Sequence, residues 1–187
     1  MKIKKRKLLA KNSVYKIFFD DLIIKDKIIK NYLVLDCISK NRHGCGGVIV
    51  IPKIKKKFLL LKYFNHIHNS YMYTFPGGFV DAGESTKKAA RRELLEETGI
   101  KSNLKDLISL GVITPIPPLI NSKIHFFTAN LEFNIKKFKI DNKEHDKIKP
   151  LLLDKKKVIQ VFKKNINVDS LAIACFFRYL ALYDKKF

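Results

Sequence analysis

The stretch Gly78 to Ile100 reads GFVDAGESTKKAARRELLEETGI, and the rest of the 187-residue chain is best read outward from it. Ser85 is suited to cap a helix N-terminus and Gly99 to close one in a left-handed turn, with no Gly or Pro between them. The spacing predicts a helix of about three and a half turns. Glu93 and Glu97 are four apart and Glu96 is three from Glu93, so all three carboxylates project from one face. Ala90 and Leu94 fall on a neighbouring face and suit a core, the small Ala90 allowing close approach.

Three carboxylates on one turn repel each other, and helix propensity gives no reason to cluster them. A hard divalent cation such as Mg²⁺, which takes oxygen ligands, supplies the reason. Arg92 is placed to pair with Glu96 four residues on, or to reach back to Glu84 and hold a carboxylate in one rotamer. Glu84 ends the loop Phe79–Gly83. Taken alone, RRELLEE also reads as a solvated face laced with i,i+4 ion pairs. Gly78, Glu84, Gly99 and Ile100 in fixed register weigh against that reading.

Seven positions of single residue type (Gly78, Glu84, Arg92, Glu93, Glu96, Glu97, Gly99) and two aliphatic ones (Leu94, Ile100) resemble the Nudix box at every defining position. With usage near ~6% per residue type, a chance match is on the order of 10⁻⁸ or rarer per starting point. The resemblance implies an α/β fold, a Nudix-type α/β/α sandwich with a mixed β-sheet. It also implies hydrolysis of a nucleoside diphosphate linked to another moiety, with Mg²⁺ as cofactor and Mn²⁺ as a substitute. Glu93, Glu96 and Glu97 are then the metal ligands, joined by the Gly77 carbonyl. Arg92 and Glu84 are orienting groups, and Glu144 in the polar loop Asp141–Lys149 is a candidate general base.

Composition bounds the rest. The formal charge of +21 comes from 38 basic and 17 acidic residues, almost all of the basic ones lysine. The lysines are spread along the chain, so a nucleic-acid groove is possible but not favoured; the charge also suits attraction of an anionic small molecule. Cys37, Cys45 and Cys175 are an odd number without paired spacing, so no disulfide frame is expected. No signal peptide is read at the start, and no apolar run approaches the ~18 residues of a membrane span, so a cytoplasmic location is expected.

In chain order, Met1–Lys7 reads as a frayed basic arm. Val14–Phe19, Leu22–Ile24 and Ile28–Leu35 read as an antiparallel meander broken at Asp20-Asp21. Residues 1–42 are accordingly set apart as an N-terminal β meander and possible dimerisation element, and 43–187 as the hydrolase domain. Arg42–Gly47 reads as a flexible joint. Strands are expected at Val48–Ile51, Phe58–Tyr63, Tyr71–Phe75, Leu107–Ile113 and Lys123–Glu132, with Phe138–Ile140 and Pro150–Leu153 as further candidates. A proline-rich loop, Thr114–Ser122, interrupts them. Asp154 caps a short basic helix, Lys155–Lys164; Asp169 caps a last one, Ser170–Tyr183, with Leu171, Ala174, Cys175, Arg178 and Leu182 as its inward stripe.

Substrate class rests on finer features. Pro115 lies sixteen residues after Gly99, similar to the proline carried at that spacing by the ADP-ribose diphosphatase branch. The meander, LLLKYFN before TFPGGF and the closing helix after VDS also resemble that branch. The resemblance implies a homodimer and a base held between side chains, with Tyr63 and Phe64 (and Tyr32) as stacking candidates, core packing being the default role of each, and Gly78 and Pro115 as further substrate contacts. The branch's basic residue near Phe64-Asn65 and its acidic residues near Asn121-Ser122 are missing here. ADP-ribose cleaved to AMP and ribose 5-phosphate is the leading expectation. Nucleoside triphosphates, dinucleoside polyphosphates and RNA 5′ ends stay open as substrates, as does a nucleotide-sensing module of similar fold. His66-x-His68 has no third ligand nearby in sequence, and His125 reads as a packed or hydrogen-bonded strand residue.

Overall fold

The structure, a computed structural model, describes residues 1–132, 148–164 and 167–184. Two sheets make up its β-structure. The first runs β1 (Lys2–Lys11), β2 (Tyr15–Ile24), β3 (Lys27–Cys37) and, in parallel to β3, the two-residue β9 (Ile120–Asn121). The second, seven-stranded and mixed, has the path β11 (Lys149–Asp154), β5 (Lys57–Asn65), β4 (Cys45–Ile54), β10 (Lys123–Leu131), β8 (Leu107–Ile113). To this path β6 (Ser70–Thr74) adds on β5, and β7 (Gly77–Phe79) on β4. Among the described residues, only β4 and β10 run parallel within it.

Alternation along β4 explains the layers. Val48 and Val50 point to one face, where Ala89, Ala90 and Leu94 of helix α1 (Thr86–Thr98) cover them. Ile49 and Ile51 point to the other, where α2 (Lys155–Lys164) and α3 (Ser170–Tyr183) contribute Val158, Ala172, Cys175 and Phe176. A strand buried on both faces reads as a continuous apolar run, which VIVI is. The result is the expected α/β/α sandwich. Leu94 is fully enclosed, so truncating it to Ala costs about 2–5 kcal/mol.

Four local expectations need correction. Met1–Lys7 is not frayed: Lys2–Lys11 pairs along its length with β2. Five lysines and an arginine in these ten residues are what an exposed edge strand carries to discourage pairing with other chains. Asp20-Asp21 does not break β2; the ladder absorbs the extra residue as a bulge. Cys45 to Gly47, read as a flexible joint, are buried in β4. The inward face of α3 is Ala172, Cys175, Phe176, Tyr179 and Leu180, whereas Leu182 is exposed. That helix is apolar nearly all round, so periodicity does not fix which side turns in; edge-on packing of Phe176 and Tyr179 against Phe58 does. Phe138–Ile140 lies outside the described residues.

Candidate active site

Helix α1 begins and ends as its sequence dictates. The Ser85 hydroxyl accepts the Lys88 N–H, and Gly99, at φ +68°, returns its N–H to the Leu95 carbonyl. With both ends fixed and Ala89, Ala90 and Leu94 on the sheet, the next face of the helix lies against the loop after β7.

Arg92 gathers that face. Its Nη1 donates to Glu93 at 2.7 Å and to Glu96 at 3.1 Å. Its Nη2 donates to the Phe79 carbonyl at 2.8 Å and to Glu84 at 3.1 Å. Glu84 in turn accepts the Asp81 N–H, closing the loop over the helix. The two roles open to Arg92 from spacing, toward Glu96 and toward Glu84, are filled at once. Burial opposes charge on Arg92, but the bond to Glu84 and the charge of Glu93 outweigh it and raise its pKa.

Glu93 is buried beneath Gly78. A Cβ built on Gly78 would meet both carboxylate oxygens and the carboxyl carbon of Glu93 at less than 3.0 Å. A side chain at this position would displace the carboxylate behind it. Glu97 faces a cavity of about 750 Å³ and accepts the Gly77 N–H at 2.9 Å. Burial raises both carboxyls. For Glu93 the neighbouring Arg92 charge pulls back. For Glu97 the Gly77 N–H does so, but with the charges of Glu93 and Glu96 against it the carboxyl stands at about 8. Glu96 is about half exposed.

Among the described residues no three His, Cys, Asp or Glu side chains converge into a finished cation cage. Arg92 draws Glu93 and Glu96, while Glu97 turns to Gly77. The donor set nevertheless fits a hard divalent cation. Glu93, Glu96 and Glu97, within two turns of one helix, offer the oxygen donors such a cation takes.

The cavity collects the substrate candidates. Tyr63, Phe64, Gly77, Gly78 and Pro115 all line it together with Glu97. Its volume suits a small organic ligand. Tyr32 does not line it; its hydroxyl donates to the Pro118 carbonyl at 2.5 Å. Glu84, Arg92, Glu93 and Glu96 do not line it. Glu144 lies outside the described residues. Spacing missed Tyr15, which comes from the first sheet and meets Phe79 edge-on at 5.9 Å on the cavity wall. It also missed Asp169, read as a helix cap, which lines the cavity while accepting the Thr74 hydroxyl at 3.1 Å. The capping signal was legible in VDS; the cavity position was not. His125 is a hydrogen-bonded strand residue, between Thr86 and Ser109, and His66 and His68 are exposed.

The family model for the NUDIX domain matches residues 43–163. The chain belongs to the NUDIX family. Among its relatives is an ADP-sugar pyrophosphatase of Mus musculus, 35% identical over 98 residues, which are 50% of this chain and 44% of that protein. An ADP compounds hydrolase, NudE, of Escherichia coli (strain K12) is 33% identical over 83 residues, 44% of each chain. An ADP-ribose pyrophosphatase of Methanocaldococcus jannaschii is 33% identical over 88 residues, 47% of this chain and 48% of that one. The NUDIX chain thus spans about half the length of these relatives, or less. A crystal structure of an ADP compounds hydrolase superposes with a TM-score of 0.79 at 19% identity, covering 99% of this chain and 95% of that one. That likeness speaks for the fold, the first sheet included.

Proposed function

We propose that this NUDIX protein is a divalent-metal-dependent hydrolase of a nucleoside diphosphate linked to another moiety, with ADP-ribose cleaved to AMP and ribose 5-phosphate as leading substrate. One observation carries the reading: Glu97, on the box helix, opens into the same cavity as Tyr63, Phe64 and Pro115. Through Glu97 the carboxylate turn meets the aromatic-lined cavity. The names of the relatives support the ADP-linked substrate class.

Glu93 and Glu97 are the principal candidates to hold the cation, with Glu96 and the Gly77 carbonyl as additional ligands. When bound, Mg²⁺, or Mn²⁺ in its place, supplies positive charge between the carboxylates and the pyrophosphate and makes water a stronger nucleophile. The remaining work falls to the chain. Arg92 holds the Glu93 and Glu96 carboxylates in fixed rotamers, and Glu84 anchors Arg92. Gly78 lets a ligand and the Glu93 carboxylate come close through the same backbone. Tyr63 and Phe64 offer faces and edges for a base, and Pro115 stiffens its own part of the wall. Glu144 is retained as the candidate proton acceptor outside the box.

A second reading, hydrolysis at an RNA 5′ end, draws on the charge of +21. It is separated by assay: ADP-ribose, NADH, dinucleoside polyphosphates, dNTPs and triphosphorylated RNA are compared by kcat/KM with Mg²⁺. ADP-ribose is expected to rank first; a low rank removes it as leading substrate. A sensing module is disfavoured because every box carboxylate is present. We further propose a homodimer, in which residues 1–42 take part. Sedimentation checks it, since a particle near the 21.7 kDa of one chain contradicts it. A cytoplasmic location remains part of the proposal; among the described residues no helix is long and apolar enough to cross a membrane.

A further inference from the structure

The 114–122 segment forms one wall of the cavity through Pro115, Ile116, Ile120 and Ser122. Its sequence, TPIPPLINS, has three prolines and so lacks three backbone donors. Within itself it makes a single turn, the Leu119 and Ile120 N–H groups both reaching the Ile116 carbonyl. A two-residue strand is too short to fix a wall by its own ladder. The donors come from the first sheet instead. The Tyr32 hydroxyl donates to the Pro118 carbonyl at 2.5 Å, and the Leu35 N–H to the Leu119 carbonyl at 2.8 Å. Lys40 Nζ donates to the Asn121 carbonyl at 3.2 Å. Asp36 Oδ1 completes the set, accepting from Lys40 Nζ at 2.5 Å and from Asn121 Nδ2 at 2.6 Å.

We propose that Tyr32 and Asp36 are positioning residues: β3 and Lys40 clamp the 114–122 segment and thereby set the shape of the substrate cavity. Neither side chain lines that cavity, and neither stands near the carboxylate turn in contact or in sequence. The clamp reaches substrate only through the backbone it holds. Rotating Ile120 or Ser122 changes the wall without moving Glu93 or Glu97, so the signature belongs in KM rather than kcat. This inference rests on the proposed function only in taking the cavity as the substrate site.

The test uses the full chain with Tyr32→Phe, Asp36→Ala and Asp36→Asn. Tyr32→Phe loses one hydroxyl and no packing, so it keeps the test open if Asp36→Ala folds poorly. Amide hydrogen exchange is followed at Leu119, Ile120 and Asn121, with the amides of α1 as internal reference. Tyr32→Phe and Asp36→Ala are expected to speed exchange in the segment but not in α1. Both are expected to raise KM for ADP-ribose about three- to tenfold, the factor one net hydrogen bond carries, with kcat nearly unchanged. Asp36→Asn, which keeps an acceptor oxygen, is expected to restore most of the loss. Wild-type exchange in the segment for both variants overturns the clamp, as does a fall in kcat at constant KM. If the wild-type protein hydrolyses nothing in the substrate panel, the hydrolase reading has failed, and the exchange comparison alone decides the clamp.

Discussion

Replacing Arg92 by Ala removes a cation that Glu84, Glu93 and Glu96 share. The loss can be sized from exposure. The side chains are 28% exposed for Arg92, 15% for Glu84 and 12% for Glu93, so the cluster is neither interior nor on the surface. Breaking a fully buried pair costs about 3–5 kcal/mol, and an exposed one about 0.2–1 kcal/mol. An intermediate cost of about 2 kcal/mol follows, which lowers Tm by about 4–8 °C in a chain of this size. Thermal unfolding of both proteins, metal-free and at low salt, measures it at pH 8. Part of the deficit comes from Glu93, whose carboxyl Arg92 pulls down against burial, so it shrinks as pH falls and Glu93 takes up a proton. A Tm within about 1 °C of wild type at pH 8 would refute the hub role of Arg92.

The remaining expectations concern the glycine over Glu93 and the Arg6–Asp20 pair in the first sheet. Gly78→Ala places a methyl group where the Glu93 carboxylate lies. The flexible end of a side chain gives way, not the backbone. The protein should therefore fold with a near-normal Tm and lose about 10–100-fold in kcat/KM; unchanged turnover argues against this placement of Glu93. Asp20 is buried and takes a two-pronged bond from Arg6, at 2.8 Å and 2.7 Å, which holds its carboxyl below the ordinary value against the opposing effect of burial. A depressed carboxyl stabilises the fold above its unfolded pKa of about 3.9, and that contribution fades as pH drops through the folded value. Asp20→Asn should cost about 1–2 kcal/mol at pH 7. In denaturant titrations the gap should close below about pH 4; a gap constant from neutral to acid pH contradicts it.

The box helix was legible because its signals are local: a capping serine, a left-handed glycine, and carboxylates whose spacing alone puts them on one face. The strands around Val48 and Phe126 were legible for the same reason, as short runs of β-branched and aromatic residues. What escaped depends on partners distant in sequence. Lys2–Lys11 has the composition of a solvated arm, and only pairing with β2 makes it a strand. Tyr32 reads as a packed or base-stacking aromatic until the Pro118 carbonyl, 86 residues on, claims its hydroxyl. Tyr15 and Asp169 reach the cavity from opposite ends of the chain, and no spacing rule connects them to Glu97. The face of α3 was hidden because an all-apolar helix carries no direction in its sequence.

Divalent-cation binding tests the central claim most directly. Mn²⁺ is titrated into the wild-type protein and into Glu93→Gln and Glu97→Gln, with free Mn²⁺ counted by its paramagnetic resonance signal and folding checked by Tm. The account predicts binding by the wild type and an affinity about 10–100-fold weaker in each folded variant. Equal affinity in all three proteins contradicts it, because the cation would then be held by something other than the turn that carries these two glutamates.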